Sequence, residues 1–252
     1  MAKFAPEDWQ AELLRLTIFS EVGETQRDLN WWESITGEAP EEATSSVKKG
    51  TSGVHGPFKE GRLFLNSALD RIDLIYVANS MDEELRTELP TVGVVREALA
   101  VFAEIGDKFL AMGNVPEIRR MAFGAVLTHR EKDREAAYSR VADYVPIKIN
   151  EKSSDLIYQI NVAAGSKTGI DGLMLNRLSK WSATVLRSLE LSMGAPTGVS
   201  ARAPEIVAIR LELDVNTMPG TGPSPLPRQR MHDLFHELMS EAEKLAADGV
   251  EV

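Results

Sequence analysis

Cysteine is absent from the 252 residues. That excludes disulfides, thiolate nucleophiles, iron–sulfur clusters and cysteine-based zinc sites, and it is neutral about compartment. Long hydrophobic runs are missing as well. No apolar stretch approaches the roughly 18–20 residues of a membrane helix. The opening Met1-Ala2-Lys3-Phe4-Ala5-Pro6-Glu7-Asp8 meets acid and proline before any apolar run, unlike a secretory leader. The expected address is the cytoplasm, with no membrane partner. Acyl-transfer chemistry lacks its G-x-S-x-G elbow, and no G-x-G-x-x-G follows a strand to hold a dinucleotide. With 4 His in the chain, few histidine-dependent mechanisms are open. No cofactor is expected, and the reading leans away from an enzyme.

What is present is ordinary for a globular chain: 43% hydrophobic and 26% charged residues. A chain of this length buries about 75% of its unfolded surface, so no metal or disulfide staple is required. Lys+Arg number 28 against 38 Asp+Glu, a net charge of −10 that opposes an undirected nucleic-acid coat. The charge is uneven. Residues 118–187 carry 12 basic and 7 acidic groups, while the flanking segments are acidic. That locally basic stretch is a candidate surface for an anionic partner.

Period-2 alternation predicts strands. Leu14, Leu16 and Ile18 alternate with Arg15 and Thr17. Arg62–Asn66 and Arg71–Ala78 read as a hairpin with Ile72, Leu74, Tyr76 and Ala78 on one face. Arg120–His129 and Leu156–Val162 follow. Trp181 to Leu191 and Val207 to Val215 close the series. Polar positions such as Arg210, Glu212 and Asp214 imply sheets wet on one side, hence antiparallel. Helices are predicted from Asn30 to Gly37, Thr91 to Leu110, Glu131 to Tyr144 and Arg228 to Ala247. Residues 44–61, with four Gly, one Pro and three Lys, read as an exposed mobile loop.

Two segments look like copies. Ile72–Met81 (IDLIYVANSM) and Ile209–Met218 (IRLELDVNTM) both end in Asn-Ser/Thr-Met. In each, a proline follows the Asn by eleven residues, at Pro90 and Pro227. One numbering shift of 137 aligns strand face, turn and helix face. Val94, Ala98, Val101 and Ile105 fall on Met231, Phe235, Leu238 and Ala242. Single hairpin-strand-helix units leave apolar surface open, so two would pack together.

Several residues carry candidate chemistry. His232 and His236, spaced i, i+4, are weak metal candidates. HDLFHE departs from the HExxH pattern, and no metal is expected. Gly165-Ser166-Lys167-Thr168-Gly169 lacks the order of a phosphate-binding loop. His55 and His129 could serve as bases if a carboxylate oriented them. Trp31-Trp32 are candidate partner contacts, because adjacent helical residues point about 100° apart and cannot easily share one pocket. Arg177, Trp181 and Arg187 share a strand face. With Lys180 they are candidates to clasp an anionic group.

The expected fold is α+β: antiparallel sheet covered by helices, in two pseudo-repeated hairpin-strand-helix halves. The first half is 1–112 with the loop 44–61, the second is 113–252, and the two pack as one compact unit. The expected function is a non-enzymatic cytoplasmic binding or assembly protein, a homo-oligomer or a subunit with a protein partner. One alternative is an enzyme or sensor for a small anionic or phosphorylated ligand at the junction of the halves. Another is nucleic-acid binding through 118–187.

Overall fold

A computed structural model describes residues 8–21, 30–79, 88–150, 152–186 and 205–250. Arg187, Ser80, Met81 and the far end of the strand expected to reach Leu191 lie outside the described residues.

Nine strands form one antiparallel sheet: β1 (Gln10–Phe19), β2 (Glu42–Ser46), β3 (Thr51–Phe58), β4 (Gly61–Ser67), β5 (Arg71–Ala78), β6 (Arg120–Glu131), β7 (Ile157–Gly165), β8 (Met174–Leu186) and β9 (Ile206–Thr217). Their order across the sheet is β2-β3-β4-β5-β1-β6-β9-β8-β7. The helices are α1 (Asn30–Thr36), α2 (Val95–Ala111), α3 (Arg134–Ala142) and α4 (Met231–Asp248). The α+β class and the antiparallel sheet are therefore as the alternation implied. Among the described residues no helix is long and apolar enough to cross a membrane.

Alternation decides which strand faces are buried. Leu14, Leu16 and Ile18 of β1 align with Ile72, Leu74 and Tyr76 of β5 on one side and with Met121, Phe123 and Ala125 of β6 on the other, and all are buried. Every described helix covers this same face. Phe102 of α2 and Phe235 of α4 meet Phe123 edge-on or tilted, with ring centroids 6.0 and 6.5 Å away. Beyond α3, Tyr144 stacks on Trp181 at 4.6 Å, and Trp9 meets both rings edge-on. Trp9 also donates from Nε1 to the Ala246 carbonyl, tying the first strand to the last helix. In α1, Trp31 packs edge-on to Phe109 and donates to Asn114.

The helices end for identifiable reasons. Asp133 caps α3 by accepting from the Ala136 amide at 2.8 Å. Gly249 ends α4 at φ +72, where a side chain would strike the Tyr144 backbone at 2.4 Å. Helix α2 starts at Val95, later than the periodicity suggests. Residues 92–94 bond instead to β1, through Val92 N to Ala11 O and Ala11 N to Gly93 O. Gly106 of α2 faces the Phe235 ring so closely that a Cβ would lie 2.4 Å from it, so the α2–α4 approach requires glycine.

Residues 44–61 are not a mobile loop. They form β2 and β3, in register with β4. Their glycines serve close approach within the sheet. A Cβ at Gly56 would meet Trp32 at 3.2 Å, and one at Gly61 would meet the Val77 carbonyl at 2.4 Å. The strands β1 and β6, on either side of the expected boundary near residue 113, pair along their length, so the sheet runs unbroken across it.

Candidate functional site

With all four described helices on one side, the opposite face of the sheet has no described element packed on it. Its residues follow from the strand registers: Arg71, Asp73 and Ile75 of β5; Leu13, Arg15, Thr17 and Phe19 of β1; Arg120, Ala122 and Gly124 of β6; Arg210, Glu212, Asp214 and Asn216 of β9; Asn176, Leu178 and Lys180 of β8; Gln159 and Asn161 of β7.

Charges on this face are paired both within and across strands. Thr17 donates to Asp73 at 2.5 Å, and Arg71 holds the same carboxylate at 2.6 Å. The Arg15 guanidinium crosses over Gly124, where a Cβ would come within 3.3 Å of it, and reaches Asp214 at 4.0 Å. Arg210 pairs with Glu12 and Glu212, and Lys180 also reaches Glu212, at 3.3 Å. The Phe19 ring lies under two guanidinium groups, Arg71 at 5.7 Å and Arg120 at 5.0 Å.

An amide ladder runs beside these pairs. Asn161 donates to Asn176 at 3.2 Å, Asn176 to Asn216 at 3.1 Å and Asn216 to Asp214 at 2.8 Å. Toward β2 the face ends in a concavity of about 370 Å³ lined by Thr44, Ser46, Ser52, Asn66, Ser67 and Asp73. Aliphatic Leu13, Ile75, Val77, Val126 and Leu178 lie between the polar rows, all half-buried. The combination suits a surface that excludes water on contact while keeping its charges satisfied.

Of the residues singled out from the sequence, Lys180 and His55 lie on this face, His55 in register through Phe64 with Ile75; Arg187 lies outside the described residues, and the others fall elsewhere. Trp31 and Trp32 are both 2% exposed and brace α1 against α2 and β3, so neither offers a ring face to a partner. Trp181 is 0% exposed within the aromatic cluster. Arg177 lies on the helix-covered side, where it meets Glu241 at 3.2 Å. Lys180 points to the opposite side, so these residues do not converge on one ligand. The i, i+4 pair His232 and His236 both contact Asp107 of α2, at 3.0 and 2.9 Å. Among the described residues no group of three or more His, Cys, Asp or Glu is arranged to hold a metal ion. His55 pairs with Glu42 at 3.5 Å and stacks on Phe64. His129 lies under Trp9 near Glu131; burial lowers its pKa below 6.5, against the pull of that carboxylate.

The Gly165–Gly169 turn is anchored to α4. Ser166 donates to Glu237 at 2.6 Å, the Lys167 amide donates to the same carboxylate, and the Lys167 ammonium reaches Glu241 at 2.8 Å. A phosphate there would confront two carboxylates. Glu241 is the most perturbed of these groups, with its side chain 4% exposed. Burial alone would raise its pKa, but bonds from Lys167, Lys244 and Arg177 outweigh that and hold it at about 2.

Sequence reasoning missed the cross-strand network on the uncovered face. The polar rows of β9 were visible as a wet side, but their partners come from strands far apart in the chain. Trp9 was missed because it precedes the clear alternation. Compared with family models and with curated proteins, the chain matches none.

Proposed function

We propose that the chain is a non-enzymatic binding and assembly protein of the cytoplasm, and that the uncovered sheet face receives a protein partner. The observation that carries this reading is the one-sided layering: four described helices on one face, and on the other interleaved aliphatic and polar or ion-paired side chains across six strands, β5 to β7 in sheet order. The charges there are matched within the chain, Arg15 with Asp214, Arg71 with Asp73 and Arg210 with Glu12. A nucleic-acid backbone would meet these carboxylates as well as the cations, which favours a protein over a polyanion. Lys180, one of the residues marked from the sequence, contributes to this surface.

We infer also that the two halves are pseudo-repeats, which makes the face approximately two-fold. The order β1-α1-β3-β4-β5-α2 parallels β6-α3-β7-β8-β9-α4, with β2 additional. The shift of 137 that carries Leu74 to Leu211 carries α2 onto α4 within one residue at either end. Leu16 pairs with Leu74 as Leu127 pairs with Leu211. A two-fold axis consistent with both registers crosses the Leu14–Ala125 pair, where β1 and β6 run antiparallel.

The test compares wild type with Ile75→Lys and Leu178→Glu, each altering a half-buried side chain of the uncovered face. All three proteins retain the same circular dichroism, while the variants lose the partner that the wild type captures. A wild type that is strictly monomeric by light scattering and retains no partner, or variants that capture the same partner equally well, would end this reading.

A further inference from the structure

We propose that β7 is a dimerisation edge, at which a second copy of this chain adds its own β7 in antiparallel register about Asn161. The inference rests on the assembly reading but uses a different surface, so each can fail without the other.

The backbone phase comes first. Ala183 N donates to Leu156 O and Ser166 N donates to Leu173 O. In an antiparallel pair, bonded residues recur every second position, so the even residues of β7 bond inward to β8. Ile157, Gln159, Asn161, Ala163 and Gly165 therefore turn their N–H and C=O groups to the margin of the sheet, where among the described residues no strand follows β7.

That margin is unprotected. Soluble proteins blunt free edges with charge, proline, bulges or very short strands. The nine residues IYQINVAAG contain no charge and no proline, and their pairing with β8 is unbroken. Ile157 is 67% exposed. The opposite margin, β2, is only five residues long and opens with Glu42.

Self-pairing also satisfies both faces. Asn161 is the midpoint of Ile157–Gly165, so pairing about it overlaps the whole strand. On the helix side, Ile160 comes opposite Val162, and Tyr158 opposite Ala164. These half-buried side chains extend the apolar layer from one copy into the next. On the other side Gln159 faces Ala163, Ile157 faces Gly165 and Asn161 faces its own mate. No like charges meet anywhere along the register. The Asn161 amide uses one donor on Asn176 and has both a donor and an acceptor site for its mate, so the ladder Asn161–Asn176–Asn216 continues through the symmetry axis.

The experiment uses the full chain. Light scattering should give twice the 27.8 kDa mass for the wild type. Ala163→Pro removes an outward N–H without touching an inward bond, and Asn161→Lys sets two like charges across the axis. Both variants should give the monomer mass with unchanged circular dichroism. Because the chain has no cysteine, Asn161→Cys supplies a single thiol. Facing residues of a hydrogen-bonded pair lie about 5.5 Å apart at Cα, within disulfide reach, so mild oxidation should cross-link this variant. Asn176→Cys, on β8, should stay uncross-linked. A monomeric wild type overturns the proposal, as does a dimer indifferent to both edge variants. A dimer that the edge variants break but that Asn161→Cys cannot cross-link overturns it too.

Discussion

Replacing Glu241 by Gln tests how strongly one buried carboxylate binds α4 to the β7–β8 turn and to β8. Its side chain is 4% exposed and receives Lys167, Lys244 and Arg177, at 2.8, 2.7 and 3.2 Å. Those bonds take its pKa from 4.5 to about 2. At about 1.36 kcal/mol per unit the shift has a ceiling of roughly 3 kcal/mol. Lys167 and Lys244 are 70% and 51% exposed, so solvent screens two of the three partners. A loss of about 2 kcal/mol near neutral pH is expected after that discount. The sign with pH follows from linkage. A carboxylate whose folded pKa is depressed contributes fully above the unfolded value near 4.3, and the contribution falls as the pH drops toward the folded value. The gap between wild type and Glu241→Gln should thus narrow by about half between about pH 7 and about pH 3. Urea unfolding at both pH values, with unchanged slopes, measures it. A gap below about 0.5 kcal/mol near neutral pH, or one that widens on acidification, refutes the argument.

Three further outcomes follow from the core. Gly106→Ala gains about 1 kcal/mol of helix propensity, yet its methyl would meet the Phe235 ring at 2.4 Å. A net loss of about 1–3 kcal/mol is expected in urea unfolding, and a neutral or stabilised variant would place α2 and α4 further apart. Trp181→Ala should cost about 3–5 kcal/mol, since the ring is fully buried against Tyr144 and Trp9. A stable Trp181→Ala protein would put the ring at the surface. Burial depresses the His129 pKa. The unfolded chain then takes up the proton first, so stability declines as the pH falls through about 6.5 and levels off below the folded value. Proton NMR should give a His129 midpoint below about 6.5, and one at or above that value contradicts its burial.

Particular elements show how far the chain could be read directly. Strands β1, β5 and β9 were legible because the apolar residues of each recur at every second position over a stretch, Leu14–Ile18, Ile72–Ala78 and Ile209–Val215, and Ile72, Leu74, Ile209 and Leu211 are buried as their parity requires. Helices α2 and α4 were legible from their 3.6-residue stripes. Strands β2 and β3 were not, because Gly50, Gly53, Gly56 and Pro57 read as breakers until β4 offers a template and Trp32 demands space. The paired tryptophans misled for a related reason. Adjacent residues on an isolated helix cannot share a pocket, but α1 is wedged so that Trp31 enters the α2 side and Trp32 the β3 side.

The uncovered face divides the same way. Side-chain parity along a strand is a local property of the extended backbone, so the amino-acid order alone determined that Arg210, Glu212 and Asp214 share one side and Leu211 and Leu213 the other. Which strands become neighbours, and in what register, depends on contacts between residues a hundred or more positions apart, such as Leu16 with Phe123. Only the assembled sheet therefore decided that Arg15 would reach Asp214, that Asn161, Asn176 and Asn216 would form one ladder, and that β7 would be left at the margin with half its backbone groups turned outward.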